Sequence, residues 1–231
     1  MASVQRSVLA WDGPTRAFKW TLVLLVLNAW VSDKFGAAVP AWHKWNGYAV
    51  LTLIVFRVFW GFFGGTTARF ATFVPSPRQA VAQLRALIAG RAPHYLGHNP
   101  VGALMVLALI GGLTLQGVTG LFSGDEDRVV IEGPLARTVS DATVDYISRW
   151  HHKIFDALEI LILAHIAANL IYQFVKREPL ITAMVTGYKP AETFADEPVD
   201  QPGSWGVAAA CLAAAAVVVF GGIYLAGGKV F

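Results

Sequence analysis

Cysteine is nearly absent. Cys211 is the single one in 231 residues, so an internal disulfide and the C-x-x-C-H attachment site of a covalent haem are both excluded. Charge is scarce too: 14% of the residues are Asp, Glu, Lys or Arg, against about 25% in an ordinary soluble domain. Hydrophobic residues make up 55%, and the mean hydropathy is +0.53. That balance excludes a water-soluble globule and predicts an integral membrane protein. A cleavable signal is not expected either, because Met1 to Thr15 is polar and the first apolar run follows without an A-x-A-like site. No internal repeat is evident, and no nucleic-acid partner is expected.

What the chain does have is long apolar runs. A bilayer core needs about 20 mostly apolar residues per helix, and five stretches meet that length: 17–36, 44–64, 100–122, 151–175 and 204–227. The third is the cleanest, with no charged side chain between Arg91 and Asp125. The other four carry polar or charged groups in or beside the span, and such groups are expensive in lipid and read as functional. Trp20, Trp42, Trp45, Trp60, Trp150 and Trp205 stand near the span ends, as an aromatic belt places them.

The basic residues orient the spans. Arg69, Arg78, Arg85 and Arg91 between spans two and three have no acidic neighbour, and Arg6, Arg16 and Lys19 precede or open span one. The positive-inside rule puts both segments in the cytoplasm, together with Lys176 and Arg177 after span four. The 123–149 loop, with Asp125, Glu126, Asp127, Glu132, Asp141 and Asp145 against three arginines, then faces the periplasm. Five spans leave the C-terminus, near Lys229, on the periplasmic side of a bacterial inner membrane. Residues 66–99 read as a cytoplasmic linker with one amphipathic helix, roughly Pro77 to Ala89, at the membrane surface. Residues 186–203, with Pro190, Pro198 and Pro202, read as a polar connection to the last helix.

The stretch "WHHKIFDALEILILAH" carries imidazoles at both ends of an apolar run. At 100° per residue, His151 and His165 lie about 40° apart around a helix and about 21 Å apart along it, whereas His152 and His165 are about 140° apart. His151 and His165 therefore share a face, and His152 is turned away. Two neutral imidazoles at different membrane depths suit two stacked haem groups, since imidazole is a strong axial ligand. A membrane histidine can also simply hydrogen-bond across a helix interface. A bis-histidine site needs a second ligand at matching depth, and His43, opening span two just after Pro40, supplies one for His151. At the inner level, span one begins "RAFKW", with Lys19 and no histidine.

These residues resemble the bacterial cytochrome b561 and nickel-iron hydrogenase b-type cytochrome family. The likeness covers roughly residues 9–189 and is carried by "WDGPTRAFKW", "WHKWNGYAVLTLIVFRVFWG", "HYLGHNPVGALMV" and the His151 to His165 helix with the following "IYQFVKREPLITAMVTGYK". The resemblance implies an all-α integral membrane protein: a four-helix haem-binding transmembrane bundle over residues 1–189, followed by a linker and a fifth C-terminal transmembrane helix over 190–231. It implies haem b on His43 with His151, and a second haem b on His165 with the position of Lys19. The family has histidine where this chain has Lys19. Three outcomes stay open: ligation by a deprotonated Lys19 amine, an iron held by His165 alone or with His98, and loss of the inner haem with Lys19 snorkelling to the headgroups.

Arg57, inside span two, is similar in place to a family arginine and has the fork geometry to pair a haem propionate; snorkelling to headgroups is its other reading. Asp156 and Glu159 are candidates for carrying protons or for structural contacts with Lys153 or a neighbouring helix. Met105 reads as packing. His94, His98 and Asn99 gather at the mouth of span three, where a quinone head group or propionates could sit. The fifth helix, rich in Ala and Gly, reads as an oligomer or partner interface.

The expected function is electron transfer between the quinone pool and a periplasmic redox partner, a cationic cytochrome c for example, through haem b groups stacked across the bilayer. Two relatives of that function are open: a superoxide:quinone oxidoreductase, which the acidic outer loop disfavours by repelling an anion, and the membrane-anchor cytochrome subunit of a hydrogenase or dehydrogenase. A colourless membrane protein that kept only the fold is the non-redox rival.

Overall fold

The computed structural model describes residues 7–35, 40–124, 132–191, 194–196 and 201–229. A short strand β1 (Ser7–Leu9) leads into α1 (Gly13–Phe35) and α2 (Pro40–Phe63). Two small helices follow, α3 (Phe70–Phe73) and α4 (Pro77–Ile88), then α5 (Pro100–Phe122), α6 (Asp141–Leu170), α7 (Leu180–Thr186), strand β2 (Tyr188–Pro190) and α8 (Trp205–Leu225). Among the described residues, four helices are long and apolar enough to cross a membrane: α2 from Trp42, α5, α6 with its continuation to Val175, and α8. Helix α1 has the length, 23 residues, but Lys19 and Asn28 interrupt its apolar run, and it falls short of the other four. Ile160, Leu163, Phe174 and Val175 are exposed along α6 and its extension. Lipid, not water, is the solvent that covers such a surface without penalty. The fold is that of an all-α membrane protein.

Local chemistry explains the element ends. Asn99 caps α5, its Oδ1 accepting the Gly102 N–H at 2.8 Å, and Pro100 fills the first helical position, where a missing N–H costs nothing. The amphipathic helix expected near Pro77 forms as α4, opened by a capping box between Ser76 and Gln79. Helix α6 begins ten residues before the expected span. Its first turns, from Asp141, are too polar to read as membrane, yet Ser140 accepts the Thr143 and Val144 N–H groups and Val144 is buried. At the other end a π-helical turn, Ile171–Val175, leads to Arg177 in a left-handed conformation with φ 57°.

The chain divides into two compact units. One comprises Met1–Ala17, Phe59–Ala108 and Ile162–Ala208. Here β1 and β2 pair antiparallel, Val8 opposite Lys189, above a small core of Ala10, Trp11, Leu96 and Ala183. Two carboxylates and a buried ammonium hold its loops. Asp12 accepts the Thr15 N–H at 2.8 Å and the Gly203 N–H at 2.9 Å, Asp196 accepts the Leu96 and Gly97 N–H groups, and Lys189 donates to the Tyr95 carbonyl at 2.7 Å. Gly187 ends α7 at φ 94°, and its carbonyl accepts the N–H groups of Ala10 and Trp11. A Cβ there would lie 2.9 Å from the Trp11 carbonyl oxygen. Gly187→Ala is therefore expected to destabilise the protein by roughly 1–3 kcal/mol, read as a lower thermal midpoint in detergent.

The other unit comprises Phe18–Val58, Leu109–Leu161 and Ala209–Phe231. Its core gathers Tyr48, Leu51, Leu135, Val219 and Ile223, with Leu121, Phe122 and Phe220 against them. One stripe of α8 is thus occupied inside the chain, while Val217, Tyr224 and Leu225 on the same helix are exposed. Close approach to α5 depends on glycine: a Cβ at Gly112 would lie 2.7 Å from Leu158, and one at Gly117 would lie 3.0 Å from Leu51.

Candidate functional site

Two of the candidate histidines come together. In the second unit, His43 in the first turn of α2 and His151 on α6 face each other with ring centroids 6.5 Å apart and planes at 82°. His43 Nδ1 lies 3.1 Å from the Ser32 hydroxyl of α1. His151 Nδ1 lies 3.0 Å from the Thr119 hydroxyl of α5, and its Nε2 lies 3.0 Å from the Gln116 amide nitrogen. Gly120 makes room for this ring, since a Cβ there would stand 3.0 Å from His151 Cε1. His151 is partly buried and His152 is exposed, in keeping with the rotation that turns His152 away.

The remaining candidates occupy separate places. His165 is partly buried on the same helix as His151, and Asn169 donates to its carbonyl at 2.8 Å with the amide 3.3 Å from Nε2. In the first unit, His98 lies between Trp11 and Phe73, with ring centroids 4.8 and 4.9 Å away. Lys19 is partly buried on α1. Arg57 is 3% exposed on α2, so its guanidinium is enclosed and does not reach out to headgroups.

Several other polar residues have local partners. Glu159 accepts the Trp30 indole N–H, a contact between neighbouring helices. Lys153 sits over the Trp150 ring, 5.2 Å from its centroid, and Asp156 is exposed. His94 pairs with Glu178 at 3.2 Å, and Asn99 donates to the Tyr172 hydroxyl at 3.4 Å. Nearby, burial and the Asp196 charge push the Tyr95 hydroxyl above its ordinary pKa. In the acidic loop, Glu132 is bridged by Arg137 at 2.8 Å, which offsets part of its charge. Asp125, Glu126 and Asp127 lie outside the described residues.

A family model described as prokaryotic cytochrome b561 matches residues 10–187. The chain belongs to the prokaryotic cytochrome b561 family. Two relatives carry the description "Probable Ni/Fe-hydrogenase B-type cytochrome subunit". The one from Azotobacter vinelandii is 24% identical and the one from Azotobacter chroococcum mcd 1 is 26% identical. Each comparison covers 80% of this chain and 89% of the relative. No solved structure matches the chain. As a cytochrome b561 family member with apolar spanning helices, the chain is a multi-pass membrane b-type cytochrome of electron transfer, and haem b is its implied cofactor.

The spacing of the two rings matches that of two ligands to one metal ion, while both ring nitrogens of His151 are turned to α5, toward Thr119 and Gln116. Two imidazoles that grip one metal ion from opposite sides, each at a metal–nitrogen distance of about 2.0 Å, have ring centres roughly 6 Å apart, and His43 and His151 stand at 6.5 Å. Among the described residues, no group of three or more His, Cys, Asp or Glu side chains could enclose a metal ion. Sequence reading passed over Ser32, Gln116 and Thr119. For the α5 pair a signal existed: Gln116, Thr119 and Gly120 recur at helical spacing within an otherwise apolar span.

Proposed function

We propose that this cytochrome b561 family member passes electrons between the quinone pool and a periplasmic redox partner by way of haem b near the outer face on His43 and His151, with a second haem b near the inner face on His165. The facing imidazoles, 6.5 Å apart, carry this reading. When bound, haem would supply a one-electron couple; the protein would supply imidazole ligands and a low-dielectric surround. Arg57, enclosed on α2, offers a guanidinium fork for a propionate. Lys19 stands where the family resemblance calls for the second inner ligand, with His98 as the other candidate. The descriptions of the two Azotobacter relatives favour a hydrogenase or dehydrogenase subunit as the partner.

The same reading takes residues 1–189 as the haem domain and 190–231 as a linker with an additional span. With α1 taken as a fifth span, the arginine-rich segments around Arg69 to Arg91 support an N-terminus in the cytoplasm and a C-terminus in the periplasm of an inner membrane. The exposed stripe of α8 that includes Val217 and Tyr224 is available to a second copy or a partner subunit.

Haem per polypeptide, measured as the pyridine haemochrome on the wild type and on Lys19→Ala, tests the proposal. Two haems falling to one is the expected result with Lys19 as inner ligand. Two in both proteins removes Lys19 as an essential ligand, and one in both leaves His43 and His151 as the sole site. A wild type without haem overturns the reading.

A further inference from the structure

The connection between α2 and α5 holds a helix that is turned the wrong way round for water. Helix α4 buries the polar Gln83, 4% exposed, and leaves Val81, Leu84 and Ile88 exposed at 49%, 50% and 81%. At 100° per residue these three apolar side chains fall within about 60° of arc, and Gln83 stands about 140° from Ile88. The sequence pattern predicts an amphipathic helix here but leaves open which face is turned out. In the structure it is the apolar one, and a contiguous exposed apolar stripe beside charged residues marks a surface with a partner.

Charge and position say which partner. Between Phe63 and Pro100 stand Arg69, Arg78, Arg85 and Arg91, with no Asp or Glu. Arg78 and Arg85 are exposed and lie about 40–60° beyond Val81, on one flank of the stripe. A guanidinium so placed meets a headgroup phosphate while its apolar stem stays with the acyl chains. Both neighbours of α4, the helices α2 and α5, are long and apolar enough to cross a membrane, and the connections 64–76 and 89–99 tie it to span ends on one membrane face. Phe62, Phe63 and Val74, which precede α4 in the chain, are exposed as well, so its stripe continues an apolar surface that begins at the end of a span. A soluble acidic protein has to compete with a bilayer that the chain itself holds alongside.

We propose that α4 is a docking surface for anionic phospholipid: Val81, Leu84 and Ile88 enter the boundary between headgroups and acyl chains, and Arg78 and Arg85 hold headgroup phosphates. This needs α2 and α5 as spans and nothing of the haem site, so the two proposals stand or fall separately.

The test uses the full-length protein carrying Cys211→Ala, which removes the single native thiol, with a polarity-sensitive fluorophore on Ile88→Cys. The control carries it on Ala82→Cys, an exposed position about 120° from Ile88. In vesicles of phosphatidylcholine with phosphatidylglycerol, the label at position 88 is expected to emit at shorter wavelength, to be quenched by spin-labelled lipid and to be shielded from aqueous iodide, while the label at position 82 stays open to iodide. In phosphatidylcholine alone the shielding at position 88 is expected to weaken. Arg78→Gln with Arg85→Gln is expected to lower the ratio of embedded to free helix by about 10–30-fold, and high salt acts in the same direction. Equal shielding with and without phosphatidylglycerol overturns the headgroup recognition. Shielding in detergent that rises with protein concentration assigns the stripe to a second copy, and shielding in native membranes that purification removes and phosphatidylglycerol does not restore assigns it to a partner protein; either result overturns the proposal.

Discussion

Replacing His151 with alanine is expected to remove one full equivalent of haem from the purified protein, with a matching fall in Soret absorbance. In the proposed site this imidazole and that of His43 stand 6.5 Å apart, and with either one removed the haem would keep a single protein ligand. His43→Ala is expected to lose the same equivalent. His152→Ala is the internal control: its side chain is exposed one residue away, so its haem content and spectrum are expected to match the wild type. A His152 variant that lost haem while His151→Ala kept it would reverse the assignment of the helix face.

The second large effect lies in the first unit. Trp60 is fully buried and donates from its indole nitrogen to the Thr15 hydroxyl at 3.0 Å. Glycines frame the ring: a Cβ at Gly64 would come within 2.7 Å of it, and one at Gly203 within 2.2 Å. Gly203 is in turn held by Asp12, which also caps α1. Trp60→Ala empties this packing and leaves a cavity, at an expected cost of about 3–5 kcal/mol. Thermal unfolding in detergent should show a large drop in midpoint. Trp60→Phe keeps most of the ring, forfeits the hydrogen bond, and should cost about 1–2 kcal/mol beyond the lost volume. Equal midpoints for Trp60→Ala and the wild type would show that this contact network does not limit stability.

Apolar length made four of the five expected spans legible, since a bilayer core imposes a minimum run that few other structures need, whereas α1 falls short of that measure. For α5 the expected and observed limits coincide at 100 and 122, because Asn99 and Pro100 are strong local start signals. Rotation along α6 likewise singled out His151 over His152, a consequence of helix geometry alone. The start of α6 at Asp141 was hidden, because a helix that continues beyond the apolar run has no hydropathy signal there. The pairing of β1 with β2, and the hold of Asp196 on Leu96 and Gly97, join residues far apart in sequence, and no local pattern announces them. Ser32 and Thr119 escaped notice for a related reason. A hydroxyl in a membrane helix usually bonds its own backbone, as these do, and its second role depends on which histidine a neighbouring helix brings to it.

The proposal that His43 and His151 hold one iron between them is tested most directly by haem stoichiometry in His43→Ala, His151→Ala and the double variant, prepared side by side. If both rings hold one haem, each single variant loses the same equivalent and the double loses no more. Loss of two equivalents in the double, or full haem content in either single variant, would contradict the pairing.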